Sequence, residues 1–135
     1  LGLTQTTPGP GSSWGLTTTS AADQLRLLVD LTSPSGPLAA PGRAYLLDLM
    51  TRVEGDQVWG VAGIAVGGDA LAVKNGWLPL DGDDGDWVVN SIGRIAGPAR
   101  TLLVAVLSDS SPDMDSGISV VQRVAALAAG AVRTS

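Results

Sequence analysis

The segment Thr101–Leu107 constrains the fold most strongly, because six consecutive apolar residues follow its threonine. A short apolar run that follows a Gly-Pro turn and is rich in branched side chains is typical of a β-strand. A strand with one solvated face alternates apolar and polar residues, whereas this strand is apolar on both faces. The chain must therefore build a sheet that helices cover on both sides.

Two further segments form an antiparallel meander with this strand. Leu71–Trp77 follows the turn signal Gly67-Gly68-Asp69, and Trp87–Ile95 ends at the turn Ala96-Gly97-Pro98-Ala99. Short turns between successive strands join antiparallel neighbours. We therefore expect an antiparallel sheet with three strands in this chain.

The connection Leu80–Gly85 carries three aspartates and weakly resembles the start of a calcium loop. Such a loop needs a bidentate acid at its last ligand position, and Ile92 stands there in this sequence. We interpret the segment as a solvated hairpin turn and expect no metal site in it.

Apolar residues at helical spacing predict three helices. The first follows Ser20, which forms a capping-box pattern with Asp23. The second spans about Pro41 to Arg52, and the third begins at Ser111-Pro112-Asp113 and runs to about Ala131. Between the second helix and the first strand, Gln57–Gly68 fits either a short helical turn or a buried loop. The expected buried stripes are Ala21, Ala22, Leu25, Leu28 and Val29 in the first helix, Leu46, Leu49, Met50 and Val53 in the second, and Ile118, Val121, Ala125 and Ala128, with Val120, Val124 and Leu127 beside them, in the third.

The opening segment Leu1–Gly15 is rich in proline and glycine, which predicts an irregular surface loop. We expect Trp14 and Leu16 to anchor this loop on an apolar surface. A long loop with no element before it is typical of the middle of a larger domain, and a first residue other than methionine indicates a processed chain or a fragment. The element order places the chain in the α+β class and leaves sheet edges and one face without partners.

The composition excludes several kinds of function. The 135-residue chain has no cysteine and no histidine, so by itself it offers no disulfide, no usual zinc site and no Ser-His-Asp or Cys-His catalytic group. Its net charge of −5 and its scattered basic residues argue against nucleic-acid binding. No apolar run approaches the roughly 18 residues of a transmembrane helix. We therefore expect no cofactor, no metal, no nucleic acid and no membrane span.

Lys74 is the only lysine of the chain, and it interrupts the apolar strand Leu71–Trp77. An ammonium group in such a strand needs an edge, a partner or a cleft. Gly76 would let another molecule approach the backbone, and Trp77 adds a large aromatic ring. The residues alone leave two interpretations open, a lysine that reaches solvent at a strand end or one wall of an active-site cleft.

Four stretches carry a resemblance to a known superfamily: Trp14-Gly15-Leu16-Thr17-Thr18-Thr19-Ser20-Ala21-Ala22-Asp23, Lys74-Asn75-Gly76-Trp77, Asn90-Ser91-Ile92-Gly93 and the terminal helix. They resemble the second half of serine β-lactamases and penicillin-binding proteins, most closely actinobacterial serine hydrolases related to class A β-lactamases. The resemblance implies an α+β, β-lactamase-like fold whose antiparallel sheet is covered by helices on both faces. It implies that residues 1–135 are the C-terminal portion of one such domain, incomplete without an N-terminal half, and that the protein is secreted or extracytoplasmic.

Of the superfamily motifs S-x-x-K, S-D-N and K-T-G, only the third has a counterpart, at Lys74-Asn75-Gly76, with asparagine in place of threonine. The resemblance therefore implies that the nucleophilic serine and its lysine lie in the N-terminal half, which would be a separate chain or a cleaved segment. It implies that Lys74 orients a substrate carboxylate and that the backbone N–H of Trp77 is an oxyanion donor. Asn75, Gly76 and Arg94 would bind the substrate, although Arg94 also fits an ordinary surface arginine.

The segment Leu1–Leu16 matches the omega-loop region, which carries a deacylating glutamate in class A enzymes. It contains no aspartate or glutamate here, which argues against fast β-lactam hydrolysis. Two functions from different classes fit. One is a serine hydrolase or acyltransferase that acts through a serine acyl-enzyme on an amide, ester, lactam or peptide. The alternative is a non-catalytic β-lactamase-like module that binds a ligand or partner. A trimmed fragment with no separate function is compatible with the first, and in neither case do we expect the chain alone to be active.

Overall fold

A computed structural model describes residues 1–80 and 86–133 of the chain. The predicted acidic turn falls largely on residues 81–85 and so lies outside the described residues. The regular elements, in chain order, are α1 (Ala21–Thr32), α2 (Ala40–Thr51), β1 (Ala70–Pro79), β2 (Trp87–Ala96), β3 (Thr101–Ser111) and α3 (Met114–Arg133), with short 3₁₀ turns at Trp14–Leu16, Gly55–Gln57 and Gly60–Ile64.

The three strands form one antiparallel sheet in the order β1-β2-β3, as the sequence predicts. The register pairs Lys74 with Ile92 and Trp77 with Val89, without a shift between β1 and β2. A bulge near Trp87 interrupts the pairing of β2 with β3. Asn90 and Ser108 stabilise this irregular end, because Ser108 N donates to Asn90 Oδ1 over 3.1 Å.

One face of the sheet forms the main core with α3 and the Gly60–Ile64 turn. Alternate residues of β2 are buried there, and they include Val89, Gly93 and Ile95. Gly93 permits very close packing, since a Cβ atom at this position would lie 2.9 Å from Val61 Cγ2 and 2.8 Å from a β1 carbonyl oxygen. This face therefore depends on small residues where the layers meet.

The helix α3 packs on this face through a stripe that differs slightly from the predicted one. Its buried residues include Val121 and Ala125, as expected, but also Gly117. A Cβ atom at Gly117 would lie 2.4 Å from Val89 Cγ2, so glycine allows the helix to approach β2 closely. The predicted second stripe, Val120, Val124 and Leu127, is exposed. Of the first stripe, Ala128 is also exposed and Ile118 is half-buried.

The helix α3 also begins later than the sequence pattern predicts. Ser111 still belongs to β3, and the capping residue is Asp113, whose Oδ1 accepts a hydrogen bond from Ser116 N over 2.6 Å. An aspartate in this position satisfies a free N–H of the first turn and favours the positive end of the helix dipole. The predicted cap at Ser111 was therefore wrong by two residues.

The helices α1 and α2 lie against β3 and β1 respectively, so helices cover both faces of the sheet. Leu28 of α1 is buried, as predicted, and Leu31, outside the predicted stripe, is buried as well; both lie apart from the main core. The other residues of the predicted stripe are exposed: Ala21, Ala22, Leu25 at 40% and Val29 at 48%. The burial predicted for these four residues was therefore wrong. No residue of α2 is buried. Among its predicted stripe, Leu46 and Leu49 are exposed, and Met50 and Val53 are half-buried.

The opening segment is irregular, as predicted, but it is not anchored by its apolar residues. Trp14 is 86% exposed and Leu16 is 52% exposed. The segment is attached through polar groups instead, by the backbone bridge between Thr7 and Thr18 and by Asp23. The expected anchoring by Trp14 and Leu16 was therefore wrong.

Asp23 is fully buried at the start of α1 and accepts hydrogen bonds on both of its carboxylate oxygens. Gln5 N and Thr6 Oγ1 donate to Oδ2 over 2.7 and 2.8 Å, and Arg26 Nη1 donates to Oδ1 over 2.9 Å. Ser20 Oγ accepts from Asp23 N over 3.2 Å, which confirms half of the predicted capping box. Burial raises the pKa of Asp23, but the bonds from Thr6, Gln5 and Arg26 outweigh it and hold the pKa below its ordinary value.

We predict that acid releases the opening segment from α1. Because the folded pKa of Asp23 is lowered, its contribution is complete above the unfolded value of about 3.9 and is lost as pH falls through the folded value. Asp23→Asn should have the same effect at neutral pH, since each carboxylate oxygen faces a donor and the new NH₂ group must oppose one of them. Amide hydrogen exchange at Gln5 and Thr7 measures the release.

Asp30→Asn is the matched control for this prediction, because Asp30 lies on the same helix and its carboxylate has no hydrogen bond to a described residue. It should leave the exchange rates of Gln5 and Thr7 unchanged. Equal protection of these amides in the Asp23→Asn variant and the parent would contradict the role given to the carboxylate.

Candidate functional site

The residues Lys74 to Trp77 lie on β1, which is an edge strand of the described sheet. Side chains alternate along a strand, so Lys74 and Gly76 belong to one face, and Asn75 and Trp77 belong to the other. Lys74 and Gly76 are exposed, whereas Asn75 is buried. Lys74 and Gly76 therefore lie on one face of β1, and Asn75 and Trp77 lie on the other.

The hydrogen-bond pattern of β1 shows which way the backbone of Trp77 points. Leu80 N donates to Asp86 O over 2.9 Å, one step beyond the register of β1 and β2. In an antiparallel pair every second residue bonds to the neighbour, and the residues between direct N–H and C=O to the other side. Counting back from Leu80 places Leu78 and Gly76 among the bonded residues. The N–H of Trp77 therefore points to the open edge of β1.

The side chain of Lys74 also lies along the open edge of β1. Its Nζ donates a hydrogen bond to the carbonyl oxygen of Asn75, another group that the same pattern places at the open edge. The ammonium group and the N–H of Trp77 are therefore two donors along one edge of the sheet. Lys74 forms no ion pair with a described residue.

The side chain of Asn75 holds residues 57–61, the segment that precedes β1, against the buried face of the strand. Its side chain is 3% exposed, and its Nδ2 donates to Gln57 O over 2.6 Å and to Trp59 O over 3.3 Å. Its Oδ1 is buried and has no hydrogen-bond partner among the described residues. The structure therefore gives Asn75 a supporting position under β1, and the substrate contact that the resemblance implies stays a prediction.

Ser91 of β2, which pairs with Asn75 in the register, holds the same segment from the other side. Its Oγ accepts a hydrogen bond from Val61 N over 2.9 Å, and the serine is fully buried. Gly60 lies between these contacts with a φ of +69°, and a Cβ atom there would lie 2.3 Å from Ser91 Oγ. Glycine is therefore required at this position by both conformation and space.

Trp59 lies in this segment, residues 57–61, and its ring packs against that of Trp77. The two ring centroids are 5.6 Å apart and the planes are inclined by 58°. Tilted aromatic pairs at this distance contribute about 0.5–1.5 kcal/mol beyond the area they bury. Trp59 is 7% exposed and Trp77 is 38% exposed, so Trp59 supports Trp77 from beneath. The chain of contacts from Asn75 through Trp59 fixes the end of β1.

Arg94 lies on β2, paired in the register with Ala72, and is half-buried. Residues two positions away from a direct partner form a diagonal pair on the same face of an antiparallel ladder, within reach of long side chains. Arg94 is in this diagonal relation to Lys74, whose direct partner is Ile92. The structure therefore brings the two predicted cations to one face of the sheet, and neither pairs with a carboxylate of the described residues.

Ser91, Gly60 and Trp59 belong to this site but were not predicted as parts of it. The sequence indicates Ser91 only within the stretch Asn90-Ser91-Ile92-Gly93. A polar residue inside an otherwise buried strand was the available signal, because such a residue needs a hydrogen-bond partner. No cluster of three acidic side chains that could hold a metal ion occurs among residues 1–80 and 86–133. No described helix is long and apolar enough to cross a membrane.

The chain is similar in fold to several proteins of known structure. No protein-family model matches the chain, and no curated protein matches it by sequence. The structure of PBP-A superposes with a TM-score of 0.71 at 21% identity, over 88% of this chain and 41% of that chain. At this identity the likeness concerns the fold alone.

Two β-lactamase structures are somewhat more similar in sequence. A β-lactamase from Burkholderia vietnamiensis is 25% identical with a TM-score of 0.64, over 92% of this chain and 43% of that one. The ancestral (GNCA) class A β-lactamase is 27% identical with a TM-score of 0.63, over 85% of this chain and 42% of that one.

The chain thus spans about two fifths of the length of the structures that it matches, namely their C-terminal portion. The order of elements, the three-stranded antiparallel sheet and the helices on both faces agree with the fold that the sequence resemblance implies. The chain thus has the fold of serine β-lactamases and penicillin-binding proteins.

Proposed function

We propose that this chain is the C-terminal part of a serine hydrolase or acyltransferase that forms a serine acyl-enzyme on an amide, ester, lactam or peptide. The observation that carries the proposal is the open edge of β1, where the N–H of Trp77 and the ammonium group of Lys74 lie along one strand. A backbone N–H fixed in a rigid strand is well suited to stabilise a developing oxyanion.

The reaction would proceed by addition and elimination at a carbonyl carbon. A serine hydroxyl from the N-terminal portion loses its proton to a base in that portion, and its oxygen forms a bond to the carbon. The electron pair of the carbonyl moves to its oxygen, which accepts hydrogen bonds from Trp77 N–H and from the N–H of the serine. Collapse of this intermediate expels the protonated amine or alcohol and leaves the acyl ester, which water then hydrolyses or a second nucleophile accepts.

The cations on the same sheet would orient the substrate before this step. Lys74 and the diagonally placed Arg94 create a positive face in a chain whose net charge is −5. A substrate carboxylate would be attracted to it, and the positive charge of Lys74 would lower the pKa of nearby hydroxyl groups. Gly76 leaves room for the substrate to lie along the strand. Asn75 would act indirectly, because it holds the segment whose Trp59 ring supports Trp77.

An N-terminal portion is the expected partner of this chain. Apolar residues of α1 and α2, among them Leu25, Val29, Leu46 and Leu49, are 40% to 48% exposed, which is typical of a surface that another part of a domain covers. The strand β3 also has an open edge among the described elements. The length of the similar structures supports the same conclusion, because the chain spans about two fifths of them.

The alternative is a non-catalytic module that uses the same edge to bind a ligand or partner. The segment 1–16 contains no aspartate or glutamate, so it offers no carboxylate that could activate a deacylating water. The burial of Asn75 also departs from the substrate contact that the resemblance implies. A binding module would bind substrate-like ligands at Lys74 without forming a covalent product.

We predict that the isolated chain forms no covalent adduct, and that the chain together with its N-terminal portion does. The reagents are a fluorescent penicillin and a fluorescent fluorophosphonate, and the measurement is in-gel fluorescence with intact mass. Labelling of the isolated chain would contradict the proposal. An N-terminal portion that contains Ser-X-X-Lys but gives no adduct with either probe would favour the binding module.

Two substitutions at Trp77 separate its backbone N–H from its ring. Trp77→Ala removes the ring and keeps the N–H, so we expect less than a tenfold loss in the acylation rate. Trp77→Pro removes the N–H as well, and because this N–H faces the open edge, the bonds of β1 to β2 are retained. Its additional loss should be about 10²–10³-fold, the usual effect of deleting an oxyanion donor. Rapid-quench measurement of adduct formation provides the rates, and equal rates for the two variants would contradict the oxyanion role.

A further inference from the structure

A second concave site lies at the other end of the sheet, where the turn between β2 and β3 meets the carboxyl end of α3. Asp69, at its rim, precedes Lys74 by five residues and Trp77 by eight, which correspond to about 16 Å and about 26 Å along an extended strand. The cavity measures about 280 Å³, near the lower end of the usual range for small-molecule sites. It is therefore separate from the edge at Lys74 and suits only a small ligand.

The floor and walls of this cavity are apolar. Ile95, which is 1% exposed, forms part of the floor, and Leu102, Val66 and Pro98 also line the cavity. A small apolar body would remove these surfaces from water, which favours its binding. The site can therefore bury a hydrocarbon group.

Two guanidinium groups and one carboxylate stand among the lining residues. Arg100 Nη1 donates to Val132 O over 2.9 Å, and Arg133 Nη2 donates to Ile64 O over 2.8 Å. These bonds position both cations, and most of their N–H donors have no hydrogen bond to a described residue. Neither arginine forms an ion pair with a residue in 1–80 or 86–133. Asp69, the lining carboxylate, accepts a hydrogen bond from a backbone N–H on its own loop, over 2.9 Å.

We propose that this cavity binds a small organic anion, consisting of one carboxylate on a compact aromatic or aliphatic body. Two arginines against one aspartate give the lining an excess positive charge in a chain with a net charge of −5. The carboxyl end of α3 disfavours an anion, and Arg133 in the last turn of that helix offsets this effect. A carboxylate would bind between Arg100 and Arg133, with its hydrocarbon body on Ile95. This site is independent of the proposed acyl transfer.

The test uses benzoate as the anion and benzyl alcohol as the uncharged analogue, titrated into the natural polypeptide that contains this chain. Backbone amide shifts in two-dimensional NMR spectra should saturate with a dissociation constant on the order of 1 mM, as expected for a ligand of this size. The shifts should be confined to residues near Asp69, Gly97, Arg100 and Arg133. Benzyl alcohol should bind at least tenfold more weakly, because it cannot form charge-assisted bonds to two arginines.

Three substitutions make the test specific. Arg133→Gln should weaken benzoate binding by about tenfold, and Arg123→Gln, on an exposed part of the same helix outside the cavity, should not change it. Asp69→Asn should strengthen binding several-fold, because it removes the one opposing carboxylate and keeps an acceptor for the backbone bond. A gain in affinity cannot result from misfolding. Shifts that do not saturate, equal affinity for benzyl alcohol, or an unchanged affinity in both Asp69→Asn and Arg133→Gln would overturn the proposal.

Discussion

The buried side chain of Asn75 is the contact on which the candidate site depends. Its Nδ2 donates to the carbonyl oxygens of Gln57 and Trp59, and these bonds hold the loop before β1 under the strand that carries Lys74. Loss of the Asn75 amide would remove the hydrogen bond to the Gln57 carbonyl oxygen, and an unsatisfied buried acceptor costs about 1–3 kcal/mol, whereas the Trp59 carbonyl oxygen also accepts from Ala62 N. The ring of Trp59 then supports Trp77. Contacts on the buried face of β1 thus fix the position of its exposed edge.

The two ends of the sheet have different chemical character. At one end, the open edge of β1 presents a backbone N–H and an ammonium group along an extended strand, which suits a carbonyl compound with a negative charge. At the other end, Arg100 and Arg133 stand over an apolar floor that suits a compact anion. Both places carry arginine or lysine in a chain with few basic residues.

The strands and helices could be predicted from the sequence because they depend on local patterns. The apolar run of β3, the turn at Gly97-Pro98 and the spacing in α3 each indicate one element. The exposed residues of α1 and α2 could not be predicted, since an apolar stripe has the same spacing whether or not the chain contains the surface that covers it. Leu25 and Leu46 are examples, with 40% exposure each.

The candidate site was only partly predictable for a related reason. Lys74 and Trp77 stand out because a charge and a large ring interrupt an apolar strand. Ser91 and Gly60 do not stand out, because their role arises from a contact between β2 and a turn 30 residues earlier in the chain. The burial of Asn75 follows from strand alternation once the face of Lys74 is known, but the sequence does not show which face is covered.

Amide hydrogen exchange along β1 is the decisive measurement, because the proposed oxyanion site depends on the direction of individual N–H groups. We expect alternating protection along β1 in the unliganded protein. Gly76 and Leu78, bonded to β2, should exchange slowly, and Trp77, directed to the open edge, should exchange at least tenfold faster than either. Protection of the Trp77 amide equal to that of its two neighbours would contradict the assignment of this N–H to an open site.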